Sequence, residues 1–119
     1  MAVTELKVVV EQRPGLCLIR VSGAADHVHY YKIEEAIQTQ LDRKQLAMVV
    51  DLSELTYISS AGINTLGHAA AQFEKVKGRL CYVRPAKTAQ WNFFTTVGVD
   101  TIFPWAESLD AAIARVTAP

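Results

Sequence analysis

The segment DLSELTYISSAGI, residues 51–63, carries most of the information about how this chain folds. It continues the run LAMVVDLS, residues 46–53, whose length and apolar character predict a strand buried on both faces of a sheet. The residues that follow, ELTYIS (54–59), predict a loop, and the small residues 59–62 predict the start of a helix. A buried strand that leads through a loop into a helix is the repeating unit of an α/β fold.

Toward the N-terminus the apolar residues first alternate and then take helical spacing. Apolar and polar positions alternate over residues 4–12 (TELKVVVEQ), which predicts a strand. The turn Arg13-Pro14-Gly15 separates it from a second predicted strand over residues 16–22 (LCLIRVS), so the two predict a β-hairpin. From Ile33 the apolar residues recur at i, i+3, i+4 and i+8, so this stretch predicts a helix.

Toward the C-terminus the pattern predicts three helices and two strands. The helix after residue 59 has Ile63, Leu66, Ala70, Phe73 and Val76 as its buried stripe and Gly78 as its stop. The elements after it are a strand over 79–83, a helix over 85–97 ended by Gly98, a strand over 101–103 and a helix over 108–116 capped by Ser108.

The resulting order, β-β-α-β-α-β-α-β-α, predicts one α/β domain with an opening hairpin, a mostly parallel sheet and about four flanking helices. The predicted domain covers residues 1–119, with its core between about 5 and 117. Within it we find no linker, composition shift or internal repeat.

Composition excludes several classes of protein. The 119 residues include 12 Lys+Arg and 12 Asp+Glu, so the formal net charge is zero, and half of the residues are apolar. That balance argues against disorder and against nucleic-acid binding, which is mostly electrostatic. Because there is no apolar run of roughly 18 residues and no signal-peptide pattern, we expect a cytoplasmic protein without membrane insertion.

The two cysteines, Cys17 and Cys81, lie in strand-like apolar runs. They are predicted to be buried, reduced thiols. The chain has no CxxC pair and no Cys/His cluster with zinc spacing, so we expect no metal and no cofactor.

Aromatic residues concentrate in the C-terminal third of the chain. They are Trp91, Phe93, Phe94, Phe103 and Trp105. Most are expected in the core, but an exposed pair of Phe93 and Trp105 would indicate a homodimer or a second partner surface.

The predicted helix start at residues 59–62 is the candidate functional site. Its backbone N–H groups and the positive end of the helix would tolerate a phosphate on Ser60. The same residues also suit simple capping by Ser59 or Ser60, with Gly62 allowing close packing. Residue chemistry alone leaves both interpretations open.

The segment 51–63 closely resembles the signature of STAS domains, D-L/F-S-x-L/V-x-F/Y-I/L/M-D/S-S-S/T/A-G-I/L. The resemblance extends to a V-x-G-x-x-D turn that ends at Asp26 and to a closing V-G-V/L-x-x-x-F over residues 97–103. It covers roughly residues 5–117 and implies the α/β fold of bacterial anti-sigma factor antagonists.

In that family, the unphosphorylated antagonist binds an anti-sigma factor that is also a serine kinase of the histidine-kinase-like ATPase type. Phosphorylation ends the binding, and a PP2C-type phosphatase restores it. The position that matches the phosphorylated serine is Ser60. The resemblance therefore implies a partner switch in which this chain is not an enzyme.

The partner surface is inferred to comprise the Asp26 turn, the helix start and the exposed face of the second helix. Its residues are Asp26, Ser59, Ser60, Ala61, Gly62, Asn64, Thr65 and His68. Many family members have Asp where this chain has Ser59, and Ser or Thr where it has Ala61. A phosphate on Ser60 therefore meets less like-charge repulsion here than in those members.

Two other functions stay open at this point. A STAS protein can be a non-switching subunit of a lipid ABC transporter or of a stressosome-like assembly.

The groups available for catalysis are Asp26, His27, His29, Asp51, Ser59, Ser60 and His68. However, G-x-S-x-G, P-loop and G-x-G-x-x-G motifs are absent, and His27 and His29 have no evident third ligand, so an enzyme is not expected.

Overall fold

The computed structural model describes residues 5–118. Its elements are β1 Lys7–Arg13, β2 Leu16–Ala25, α1 Tyr31–Asp42, β3 Ala47–Ile58, α2 Ser60–Lys75, β4 Arg79–Val83, α3 Thr88–Thr96, a 3-10 turn Val99–Thr101, β5 Trp105–Ala106 and α4 Leu109–Thr117. The five strands lie in sequence order in one sheet; β1 pairs antiparallel with β2, and the remaining pairs are parallel. The predicted order of elements and the opening hairpin are confirmed. Thr4, at the start of the first predicted strand, lies outside the described residues.

The two faces of the sheet are covered unequally, as the alternation along β2 shows. Cys17, Ile19 and Val21 point into the larger core cluster, which includes buried residues of α1, α2 and α3. Leu16 and Leu18 point into a smaller cluster under α4. Because consecutive strand residues face opposite sides and both sides are covered here, residues 16–19 are all apolar and buried.

The predicted loop over residues 54–59 is mostly strand. β3 continues to Ile58 and pairs with β2 through Glu54↔Ser22 and Tyr57↔Ala24, with two register shifts on the way. Leu55 and Ile58 are fully buried in this extension. The shifts break the strict alternation, which is why the sequence predicted a loop here.

The second helix ends earlier than its predicted stripe. Leu66 and Phe73 are buried, but Val76 is 49% exposed because α2 ends at Lys75. Gly78 does follow the helix, but the left-handed residue that ends it is Lys77, with φ 55°. A Cβ on Gly78 would lie 2.8 Å from Phe73 Cδ2, so the glycine is needed for close packing.

The last third differs from the prediction in one strand. The helix that was predicted over 85–97 covers Thr88–Thr96, and Gly98, with φ 83°, follows it as predicted. Residues 99–101 form a 3-10 turn, so the strand predicted over 101–103 is wrong; β5 lies at Trp105–Ala106, after the proline. Ser108 caps α4 as predicted, since its Oγ accepts from the Ala111 N–H at 3.1 Å.

The aromatic residues form a cluster around Trp105. Its ring centroid lies 5.2 Å from that of Trp91, 5.0 Å from Phe94 and 5.8 Å from Tyr82, and its indole donates to the Val99 carbonyl at 3.0 Å. Trp105 is therefore half-buried, and the exposed pair with Phe93 that would indicate a homodimer does not form.

Both cysteines are buried and free, as predicted. Burial raises the pKa of each thiol above its ordinary value. Within residues 5–118, no helix combines the length and the apolar character needed to cross a membrane.

Candidate functional site

The start of α2 gives two adjacent serines different roles. Ser59 has an extended backbone and precedes the helix, and its Oγ accepts a hydrogen bond from the Gly62 N–H at 3.2 Å. Its side chain is occupied as the N-cap and the residue is only 8% exposed. Ser60 is the first residue of the helix and is exposed. Of the two hydroxyls, only that of Ser60 is both exposed and free of the capping role.

Close packing below the helix start fixes its position. The Ser59 N–H donates to the Ala25 carbonyl at 2.8 Å, which ties the helix start to the end of β2. A Cβ on Gly62 would lie 2.6 Å from Cγ1 of the buried Ile58. Gly62 is therefore required for this approach, while Ala61 is half-buried beside it. Capping and close packing, the structural roles that the sequence suggested for Ser59 and Gly62, are both confirmed.

The Asp26 turn lies next to this helix start, because Asp26 follows Ala25 directly. Its Oδ1 accepts from the backbone N–H groups of His29 at 2.8 Å and Val28 at 3.0 Å, and it contacts His29 Nδ1 at 2.8 Å. The His29 N–H, with help from the other two groups, lowers the pKa of the Asp26 carboxyl below its ordinary value. An ionised carboxylate thus lies in the turn that follows Ala25, the residue whose carbonyl accepts from the Ser59 N–H.

The predicted partner residues on α2 divide into two groups. Asn64 and His68 are exposed, and they follow Ser60 by four and eight residues, so the three lie along one face of the helix. Thr65 departs from the expected exposed position. It is 5% exposed, and its Oγ1 lies 3.5 Å from Glu34 Oε2 of α1, so it belongs to the contact between the two helices.

The sequence pattern does not single out two exposed apolar side chains that lie near the helix start. Tyr57 is 50% exposed at the end of β3, and Val28 is exposed in the Asp26 turn. In the extension of β3, Leu52, Leu55 and Ile58 are fully buried at a spacing of three, because two register shifts interrupt the alternation. A period of two therefore does not identify Tyr57 as exposed, because it places this residue on the same side as the buried Leu55.

Further along, α2 is held against the sheet by aromatic side chains. The buried Tyr82 hydroxyl donates to the Leu66 carbonyl at 2.6 Å, and burial raises the pKa of this tyrosine strongly. The Phe103 ring approaches the Cβ position of Gly67 at 3.6 Å. The helix that carries Ser60 is thus anchored at its first turn and again at its second.

This arrangement suits an added phosphate. A helix N-terminus supplies unpaired N–H groups and a partial positive charge, which favour an anion on the first residue.

Within residues 5–118, no group of three or more His, Cys, Asp and Glu side chains is arranged to hold a metal ion.

Comparison with known proteins gives consistent matches. The family model described as "STAS domain" matches residues 7–112. A protein of Bordetella bronchiseptica named "Putative anti-sigma factor antagonist BtrV" is 30% identical over 111 residues, covering 92% of this chain and 93% of that protein.

Solved structures agree with this match. An anti-sigma factor antagonist from Mycobacterium paratuberculosis superposes with a TM-score of 0.81 at 27% identity, covering 94% of each chain. The Bacillus cell fate determinant SpoIIAA in its phosphorylated form superposes with a TM-score of 0.69 at 21% identity, covering 92% of this chain and 99% of that one. The second similarity concerns the fold.

Proposed function

We propose that this chain, which belongs to the STAS domain family, is an anti-sigma factor antagonist controlled by phosphorylation of Ser60. In the unphosphorylated form it binds an anti-sigma factor that is also a serine kinase of the histidine-kinase-like ATPase type. Phosphorylation by that kinase ends the binding, and a PP2C-type phosphatase restores it. The exchange takes place in the cytoplasm.

The observation that carries this proposal is the contrast between the two serines at the helix start. A kinase must reach the acceptor hydroxyl, and the Ser60 side chain is exposed at the first helical position. The buried Ser59 hydroxyl is engaged with Gly62, so its phosphorylation would break the cap. The motif and the geometry therefore favour the same residue.

The phosphate would act directly at the partner surface. It adds about −1.5 to −2 charges at neutral pH to a surface that already holds the Asp26 carboxylate. Micromolar binding corresponds to about 8 kcal/mol, and a desolvated or repelled dianion costs several kcal/mol, which is enough to abolish it.

The partner surface that we propose keeps the exposed residues of the helix start and α2. It includes Asp26, Ser60, Asn64 and His68, with Ser59, Ala61 and Gly62 shaping the backbone that presents them. Thr65 supports this surface from below, through its contact with α1.

The test is to purify the tagged protein from its native host and to analyse it and its bound partners by intact-mass and phosphopeptide mass spectrometry. We expect a serine-kinase partner and a phosphate on Ser60. Ser60→Asp should weaken kinase binding at least about tenfold, a loss of about 1.4 kcal/mol or more, while Ser60→Ala keeps it.

Ser59→Ala is the matched control, because it removes the neighbouring hydroxyl and leaves Ser60 available. It should still be phosphorylated, whereas Ser60→Ala should not. Copurification with an ABC ATPase that is insensitive to Ser60→Asp would contradict the switch and indicate a transporter subunit.

A further inference from the structure

The end of the molecule opposite Ser60 carries a concentration of positive charge. We call it the basic end, and it consists of Arg43, Lys44, Lys75, Lys77 and Arg79. These residues lie in or beside the α1–β3 and α2–β4 connections. The acidic residues of the same segments are Asp42 and Glu74, so positive charge predominates. The ion pairs found within residues 5–118 include none of the five cations.

A groove of about 460 Å³ with a partly apolar lining runs beside these cations. Leu41, Leu46 and Val76 provide its apolar lining, and Lys44 and Lys75 stand on its walls. The rest of the lining is polar and consists of Gln38, Asp42 and Gln72, so two cations face one carboxylate. Leu46 is 43% exposed. It also lines a neighbouring depression with Arg13, Lys77 and Arg79, so the groove and the cations form one continuous surface.

Two cations of the basic end occupy positions that favour glycine. Lys44 has φ 61° and Lys77 has φ 55°, and each lies two residues beyond the last residue of a helix. After Lys44, the Gln45 N–H donates to the Gln40 carbonyl at 2.9 Å. After Lys77, the Gly78 N–H donates to the Phe73 carbonyl at 2.8 Å, and both bonds are those of the Schellman motif. A cation there interacts favourably with the helix dipole, but glycine would adopt the backbone without strain.

From these features we infer that the basic end is a second docking surface, for an acidic amphipathic segment of a partner protein. An apolar side chain of that segment occupies the groove between Leu46 and Val76, and its carboxylates lie against Lys44, Lys75 and Lys77. A concave groove with cations on its rim suits a peptide, whereas a flat bilayer is better matched by protruding apolar side chains.

This surface is separate from the proposed switch. The 16 residues of α2 span about 24 Å between Ser60 and Lys75. A segment bound at the basic end therefore leaves the helix start accessible, and the chain can hold two partners at once.

The test uses fluorescence anisotropy with a short labelled peptide of Glu and Leu, compared with the same peptide carrying Gln in place of Glu. The Glu peptide should bind at least about tenfold more tightly, and its affinity should fall with added salt. The double variant Lys44→Gly/Lys77→Gly should weaken binding about tenfold and yet raise the thermal midpoint, because glycine relieves both left-handed positions. A purely structural role for the two lysines predicts no change in peptide affinity.

The matched control is Lys7→Gln/Lys87→Gln, which removes two cations from other parts of the surface and should keep the affinity. Ser60→Asp should keep it as well, so the outcome is independent of the switch. Equal affinity for the two peptides, or an equal loss in the control variant, would overturn the inference. Binding to phosphatidylserine vesicles in place of the Glu peptide would overturn it too.

Discussion

Replacement of Gly62 by alanine tests whether the close approach of α2 to β3 governs the helix start. The added Cβ would lie 2.6 Å from Ile58 Cγ1 and 3.1 Å from Cδ1. Ile58 is fully buried, so it has little room to move away. Overpacking of this kind costs about 1–3 kcal/mol, and the better helix propensity of alanine returns at most about 1 kcal/mol.

We therefore expect Gly62→Ala to destabilise the protein by about 1–2 kcal/mol, which lowers the thermal midpoint by roughly 3–8 °C. Thermal unfolding followed by circular dichroism measures this shift. Gly67→Ala is the matched control in the same helix, because its Cβ would meet Phe103 at 3.6 Å, an ordinary contact. This variant should be stabilised by about 0.5–1 kcal/mol.

A double-mutant cycle assigns the cost to its cause. Ile58→Ala alone should cost about 2–5 kcal/mol, and in that background Gly62→Ala should become neutral or stabilising, since the clashing atom is gone. If Gly62→Ala and Gly67→Ala shift the midpoint equally, or if the cost persists without the isoleucine side chain, the packing argument is refuted.

Three further predictions concern the cap, the aromatic anchor and pH. Ser59→Ala should remove the N-cap and lower the free energy of unfolding, measured in urea, by about 1 kcal/mol. Ser60→Ala should change it by less than about 0.5 kcal/mol, and equal effects of the two variants would contradict the assigned roles. Tyr82→Phe should cost about 0.5–1.5 kcal/mol, because only the hydroxyl bond to the Leu66 carbonyl is lost, and an unchanged free energy of unfolding would argue against that bond. The Asp26 pKa is lowered from 3.8, so its stabilising contribution is present above that pH and disappears as pH falls through the folded-state value. Thermal midpoints of the wild type and Asp26→Ala should therefore differ near neutral pH and draw together only as the pH is lowered beyond 3.8, through the folded-state pKa; a constant difference would count against this linkage.

The order of elements was predictable because each one has a clear period and a recognisable end. The hairpin, the helix before β3 and the Ser108 cap follow from local residue chemistry, and they are confirmed. The motif also placed the helix start correctly, since small residues are needed where Gly62 approaches β3.

The errors come from contacts between elements that are distant in sequence. The continuation of β3 depends on pairing with β2 across two register shifts, which no local pattern reveals. The burial of Thr65 depends on how α1 lies against α2, and helical spacing from Ser60 alone cannot distinguish an exposed position from one under a neighbouring helix.

The division of roles between Ser59 and Ser60 has an evolutionary consequence. Because the cap and the proposed phosphoacceptor are different residues, a single codon change at position 60 can remove regulation without removing stability. Selection removes many substitutions because they lower stability, so a position free of that constraint is constrained by its function alone. If Ser60 is the switch that we propose, a regulated and a constitutively binding form would differ by one substitution with little effect on stability, and that substitution would give a designer a permanently active binder.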